Sequence, residues 1–170
     1  MMKNFLIAVL MSGLFVGSQA NLAFSSEKQV VGWTEIVSIF PGNLKIKAKL
    51  DTGADNSSLN AKNIEYFIRD GEKWVRFQFR NFKDRVEIVE AKIIRIAKIK
   101  RLGQESVQRP TINLGICIGR TYKETEVNLS DRSGFNYQML IGRSFLQGSF
   151  IIDPELSFVS SSDCRSSKEQ

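Results

Sequence analysis

Leu50-Asp51-Thr52-Gly53-Ala54-Asp55-Asn56-Ser57-Ser58-Leu59 decides how this chain is read. Before it, Leu44, Ile46, Ala48 and Leu50 alternate with Lys45, Lys47 and Lys49, the period-two pattern of a strand with one buried face. That strand delivers Asp51 into a tight turn, where Gly53 lets the backbone bend and donate hydrogen bonds toward the carboxylate. Asp51 is the candidate catalytic residue and Gly53 builds its turn. The plain alternative is a turn carboxylate capped by backbone N–H groups. A second stretch, Leu140-Ile141-Gly142-Arg143, stands far along the chain, two apolar residues and a Gly ahead of a short helical run.

Outward from the turn the chain keeps reading as short strands. Val30 to Phe40 ends at Pro41-Gly42-Asn43, and Ile64 to Ile68 and Trp74 to Phe79 flank Asp70-Gly71, a hairpin signal. Val86 to Ile99, Thr111 to Ile118 and Thr125 to Leu129 follow, with turns at Gly103 and Gly119-Arg120. Met139 to Ile141 is a short buried strand, Arg143 to Gln147 suffices for one or two helical turns, and Phe150 to Ile152 closes the series before Asp153-Pro154. Strands about ten residues apart with little helix predict an all-β fold, a small closed barrel with one short C-terminal helix.

The 170 residues make one domain's worth of chain, and 42% hydrophobic content is ordinary for a globular protein. Lys3, the apolar run Phe5 to Val16 and Ser18-Gln19-Ala20 read as a signal peptide, residues 1–20, cut after Ala20. The run is shorter than the ~20 apolar residues of a comfortable membrane span, so membrane contact is expected only if the segment stays attached. The mature chain is then exported, periplasmic or secreted, with a domain over residues 21–159 and a polar tail, 160–170, expected to be mobile apart from Cys164.

Net charge is +6, which favours acidic surfaces without pointing to nucleic acid. Arg95, Lys98, Lys100 and Arg101 interleave with isoleucines and not with aromatics, so they read as the wet face of a strand. Cys117 and Cys164 are the two cysteines, either bonded or free. A bond between them would close a loop worth roughly 4 kcal/mol in the chain-entropy model.

No histidine occurs anywhere. Ser-His-Asp and Cys-His catalysis are thereby excluded, as are zinc sites of the His-Glu-x-x-His kind. No Gly-x-x-x-x-Gly-Lys-Ser/Thr loop is present, so neither a metal, a nucleotide nor another cofactor is expected.

Together these stretches carry a resemblance. Val31-Gly32-Trp33 with Glu35, Lys47 to Ala54, Ser57-Ser58-Leu59 with Ala61, Arg109-Pro110, Asp131-Arg132, and Leu140 to Arg143 followed by Phe145-Leu146 and Ile152-Asp153 resemble the retropepsin-like aspartic proteases. More closely, they resemble a bacterial family often labelled ATP-dependent zinc protease. The likeness covers most of the mature chain. Where that family commonly has His, this sequence has Asn60, so no role for a histidine carries over, and neither zinc nor ATP in the label finds residues here.

The resemblance implies an aspartic endopeptidase acting on peptide or protein substrates. Such enzymes use two carboxylates that share one proton, and one Asp-Thr-Gly is half a site. It therefore implies a homodimer with Asp51 from each copy facing a two-fold axis. Thr52 would reach across that axis, Ala54 would be small because the loops touch, and Leu140, Ile141 and Gly142 would support the loop. Arg143 would hold the helix or the dimer contact, while Asp55, Ser57 and Ser58 would bond within the turn. The Arg69 to Lys73 hairpin falls in the order of a flap and reads equally as a surface hairpin, and Trp74 reads as core. Two other readings stay open: a non-catalytic exported binding module keeping the fold, and a monomer acting on amide links between glutamates.

Overall fold

The computed structural model describes residues 27–101 and 103–164; the expected signal peptide lies outside the described residues. Ten strands form, β1 (Gln29–Phe40), β2 (Leu44–Leu50), β3 (Ser57–Asn60), β4 (Lys62–Arg69), β5 (Glu72–Arg80), β6 (Val86–Arg101), β7 (Gln104–Ile118), β8 (Thr121–Ser130), β9 (Met139–Ile141) and β10 (Phe150–Ser157). A single turn of helix, α1 (Arg143–Leu146), separates the last two. The all-β barrel with one short C-terminal helix is thus what the chain adopts.

The strand order is β10-β1-β2-β9-β3-β8-β7-β6-β5-β4, and β1 pairs again with β7. That extra pairing, Ser38 to Phe40 against Cys117 to Gly115, closes β1, β2, β9, β3, β8 and β7 into a ring. Alternation along the ring strands sends Val37, Ile46, Ala48, Leu59, Ile112, Ile116, Val127, Leu129, Met139 and Ile141 into one core with Phe145 from α1. β10 lies outside β1, while β6, β5 and β4 extend beyond β7.

The Asp70-Gly71 turn joins β4 to β5, with both residues at positive φ (52° and 76°) as such a turn requires. Val75, Phe77 and Phe79 of β5 face the core. Trp74 takes the opposite face, only half-buried, with Phe67 beside it and the Arg69 guanidinium 4.5 Å above its ring. The core position expected for Trp74 is corrected: strict alternation cannot bury it together with Val75.

Residues after β10 are held against the ring. Phe158 N–H donates to Thr34 O (2.8 Å), Ser160 N–H to the buried Glu35 carboxylate (3.1 Å) and Asp163 N–H to Gly119 O (3.1 Å). Cys117 and Cys164 form a disulfide. The tail from Ser160 to Cys164 is therefore anchored at several points, not at Cys164 alone.

Candidate active site

β2 carries Asp51 to its end, where Asp51 N–H donates to Ile141 O of the neighbouring β9 (2.8 Å). The chain turns there: Gly53 N–H reaches Asp51 Oδ1 at 3.0 Å, and Ala54 N–H reaches Asp51 O at 3.3 Å. A Cβ on residue 53 would sit 3.2 Å from the Asp51 carboxylate, so the turn favours glycine by space. Thr52 and Gly53 are exposed, and Asp51 and Ala54 are half-buried, so the carboxylate stands at an open surface.

The Leu140 to Arg143 segment meets this turn from behind. Leu140 and Ile141 pair with Lys49 and Leu50, and Leu140 also pairs with Ser58. Gly142 N–H donates to the buried Ser57 hydroxyl (3.2 Å). Arg143 N–H then bonds Ala54 O and Ser144 N–H bonds Asp55 O, both at 2.9 Å. The Arg143 side chain donates to Thr52 O (2.8 Å) and forms an ion pair with Asp55. Arg143 and Asp55 are thus partners that lock the turn to α1, a more specific arrangement than either of the roles expected for them.

A polar layer lies beside the turn on the ring's other face. Strand alternation that sends Leu59, Val127, Leu129 and Ile112 inward sends Ser58, Asn60, Thr111, Asn128 and Ser130 the opposite way, yet all five are buried. Thr111 Oγ1–H donates to Asn128 Oδ1 (2.7 Å), while the buried Ser130 hydroxyl has no partner among the described residues. Arg132, 8% exposed, completes the layer: its N–H donates to Asn60 Oδ1 (2.8 Å) and its guanidinium to Ser58 Oγ (3.1 Å). The guanidinium also rests on the Phe135 ring, 4.5 Å from its centre. Asn60 is fixed in turn by donating to Gln138 Oε1 (2.7 Å).

Charge gathers here. Burial pulls the Arg132 pKa below its ordinary value, the like charge of Arg109 adds to that pull, and the opposite charge of Asp51 works against it. An arginine stays protonated regardless. Arg109 belongs to β7, opposite Ala97 of β6, on the same face as Thr111. The hairpin that brings a charge to Arg132 is therefore β6–β7. The Arg69 to Lys73 turn belongs instead to β4 and β5, at the far edge of the sheet. Asp131, next to Arg132, turns away to accept Ser133 N–H (2.8 Å) and the Ser133 hydroxyl, which hold its carboxyl below the usual range.

From the sequence Arg132 is expected to pair with Asp131, a pairing the structure replaces with Ser58 for Arg132 and Ser133 for Asp131, and no role is expected for Arg109, Asn60 and Gln138, although the Arg109-Pro110 and Asp131-Arg132 pairs stand out as motifs. Among the described residues, no cluster of three or more His, Cys, Asp or Glu could hold a metal ion.

Residues 30–163 match the model of a family described as RimB-like, retropepsin-like aspartic endopeptidase RimB. The chain belongs to this RimB-like family. It is 35% identical over 139 residues to a protein of Shewanella pealeana named a probable alpha-L-glutamate ligase. A protein of Desulfotalea psychrophila with the same name is 37% identical over 134 residues. These matches take in 79% and 76% of the chain but only 30% and 29% of the relatives, so the chain spans under a third of their length. Among solved structures it is similar to a Legionella pneumophila protein of unknown function, at 29% identity and a TM-score of 0.68, covering 79% of this chain and all of that one. The retropepsin-like fold and the family are established together by these matches; the reaction is a separate matter, since relatives that match most of the chain carry a ligase name.

Proposed function

We propose that two copies of this chain meet at their Asp51 turns and hydrolyse peptide bonds as an aspartic endopeptidase. The observation that carries the reading is the Asp51 turn, exposed at its tip and fixed from behind by β9 and Arg143, in a chain of the RimB-like family. One carboxylate takes a proton from water as the water oxygen attacks the carbonyl carbon, and the other gives its proton to the carbonyl oxygen. When the resulting diol collapses, the C–N bond breaks and the amine nitrogen receives a proton.

Arg132, on which the charges of both Asp51 and Arg109 act, makes a substrate carboxylate the natural neighbour of the scissile bond. Glutamate-bearing peptides are the substrate class we favour, and the ligase names of the relatives support that choice. The enzyme is exported and works best at acidic pH.

The test digests peptides with and without runs of glutamate between pH 3 and 7, using the native chain and Asp51→Asn, with native mass measured on both. A dimer whose cleavage disappears in Asp51→Asn is expected. A stable monomer would sink the shared site, and equal cleavage by both chains, or none by either, would favour a binding module that keeps the fold.

A further inference from the structure

Residues 62–109, which span β4, β5, β6 and the start of β7, hold 13 Lys and Arg against 7 Asp and Glu. The rest of the chain holds 11 of each sign, so the whole net charge of +6 resides on these strands and the rest is neutral. Arg69, Arg76 and Lys92 pair with Glu90, Glu65 and Glu72 on one face of these strands, whereas Lys73 and Lys98 lie on the other, a face suited to an anionic partner.

The same strands expose apolar side chains. Tyr66 is 62% exposed, Ile68 65% and Ile96 45%. Tyr66 and Ile68 share one face of β4, opposite Phe67 and Arg69, and with Ile93 and Ile96 they border an open groove of about 310 Å³. Lys73, paired with Ile68, lies at its edge. Lys98, two residues beyond Ile96 on the same face of β6 and exposed, extends the rim. Bulky apolar groups ringed by lysines combine the two attractions that hold a protein on an anionic bilayer surface.

We propose that this face, with Tyr66, Ile68 and Ile96 at its centre, docks on an anionic lipid surface. A second copy is a poor occupant, because Lys73 and Lys98 would meet their own copies, while Glu65, Glu72 and Glu90, which could pair with them, lie on the opposite face of the strands. Single-stranded nucleic acid needs successive open aromatic rings on which bases stack; here Tyr66 is exposed, but the Phe67 and Trp74 rings beside it lie under Arg69, and one ring makes no stacking platform. The docking face departs from reading the lysines as merely solvated, because Ile96 stands exposed among them instead of facing a core. Ile96 pairs with Pro110, whereas Arg109, whose charge acts on Arg132, alternates to the opposite face, so docking leaves the Arg109 face turned away from lipid.

The experiment sediments the full chain with phosphatidylcholine vesicles and with vesicles that also contain phosphatidylglycerol. We expect about tenfold tighter binding to the anionic vesicles, weakening as salt is raised. Tyr66→Ser with Ile68→Ser, and separately Lys73→Glu with Lys98→Glu, should each weaken it roughly fivefold without moving the thermal transition, while Ile68→Leu binds as the native chain does. Equal binding by all variants would assign the contact to the N-terminal apolar run and overturn the proposal. No preference for phosphatidylglycerol, or tighter binding to RNA or to an acidic peptide through the same residues, would overturn it as well.

Discussion

Arg132 is a cation placed where water hardly reaches it, held by Ser58 and backed by Phe135, with Asp51 as the carboxylate whose charge acts on it. A buried charge needs compensation, and a substrate carboxylate would supply it. Replacing Arg132 with Met should raise KM for a glutamate-bearing peptide by about 10- to 100-fold, the loss of one charged hydrogen bond. It should change KM for the glutamine analogue little, and Arg132→Lys should recover part of the loss. Steady-state kinetics on the paired peptides checks this, since a purely structural defect would depress both substrates alike. Asp51 could be read from the sequence because its turn is local: the strand before it, Gly53 and the small Ala54 lie within five residues. Arg132 could not. Its neighbours Ser58 and Asn60 come from β3, and Thr111 and Asn128 from strands that long-range pairing brings alongside, and no local pattern encodes that register.

β9 has three residues and yet joins β2 to β3, so its fit decides whether the Asp51 turn is held. A Cβ on residue 142 would come within 2.6 Å of Asn56 C and 2.8 Å of Asp55 O, both backbone atoms that cannot swing aside. Gly142→Ala should therefore destabilise the fold by about 1–3 kcal/mol, the range for forced overpacking. Gly134→Ala, with no atom within 4 Å of the added carbon, should change stability little. Urea denaturation of the two variants makes the comparison. The pattern Met139 to Ile141 disclosed this strand because both its faces are crowded. β7 was legible only from Thr111, although it begins at Gln104, because residues 105–108 are exposed and are kept extended by their ladder with β6, not by burial.

Across the whole molecule, the last described residues act as a strap over the β1–β7 seam, which has only three paired positions. The Cys117–Cys164 disulfide spans 47 residues of chain. Replacing both cysteines with Ser should remove roughly 4 kcal/mol and lower Tm by about 10 °C, as calorimetry would register. The same loss on adding reductant to the native chain would tie the effect to the bond. Barrel and helix were legible as a whole because short alternating strands punctuated by turns allow few other architectures. The place of the β4–β5 turn was not, since chain order alone put it forward as a flap and the strand order removed it to the edge. The bonds from Arg143 and Ser144 to the Asp51 turn bear on assembly. The conformational entropy of that turn is surrendered when each chain folds, so two copies that associate need not order it again, and their affinity is set by how well two finished surfaces match.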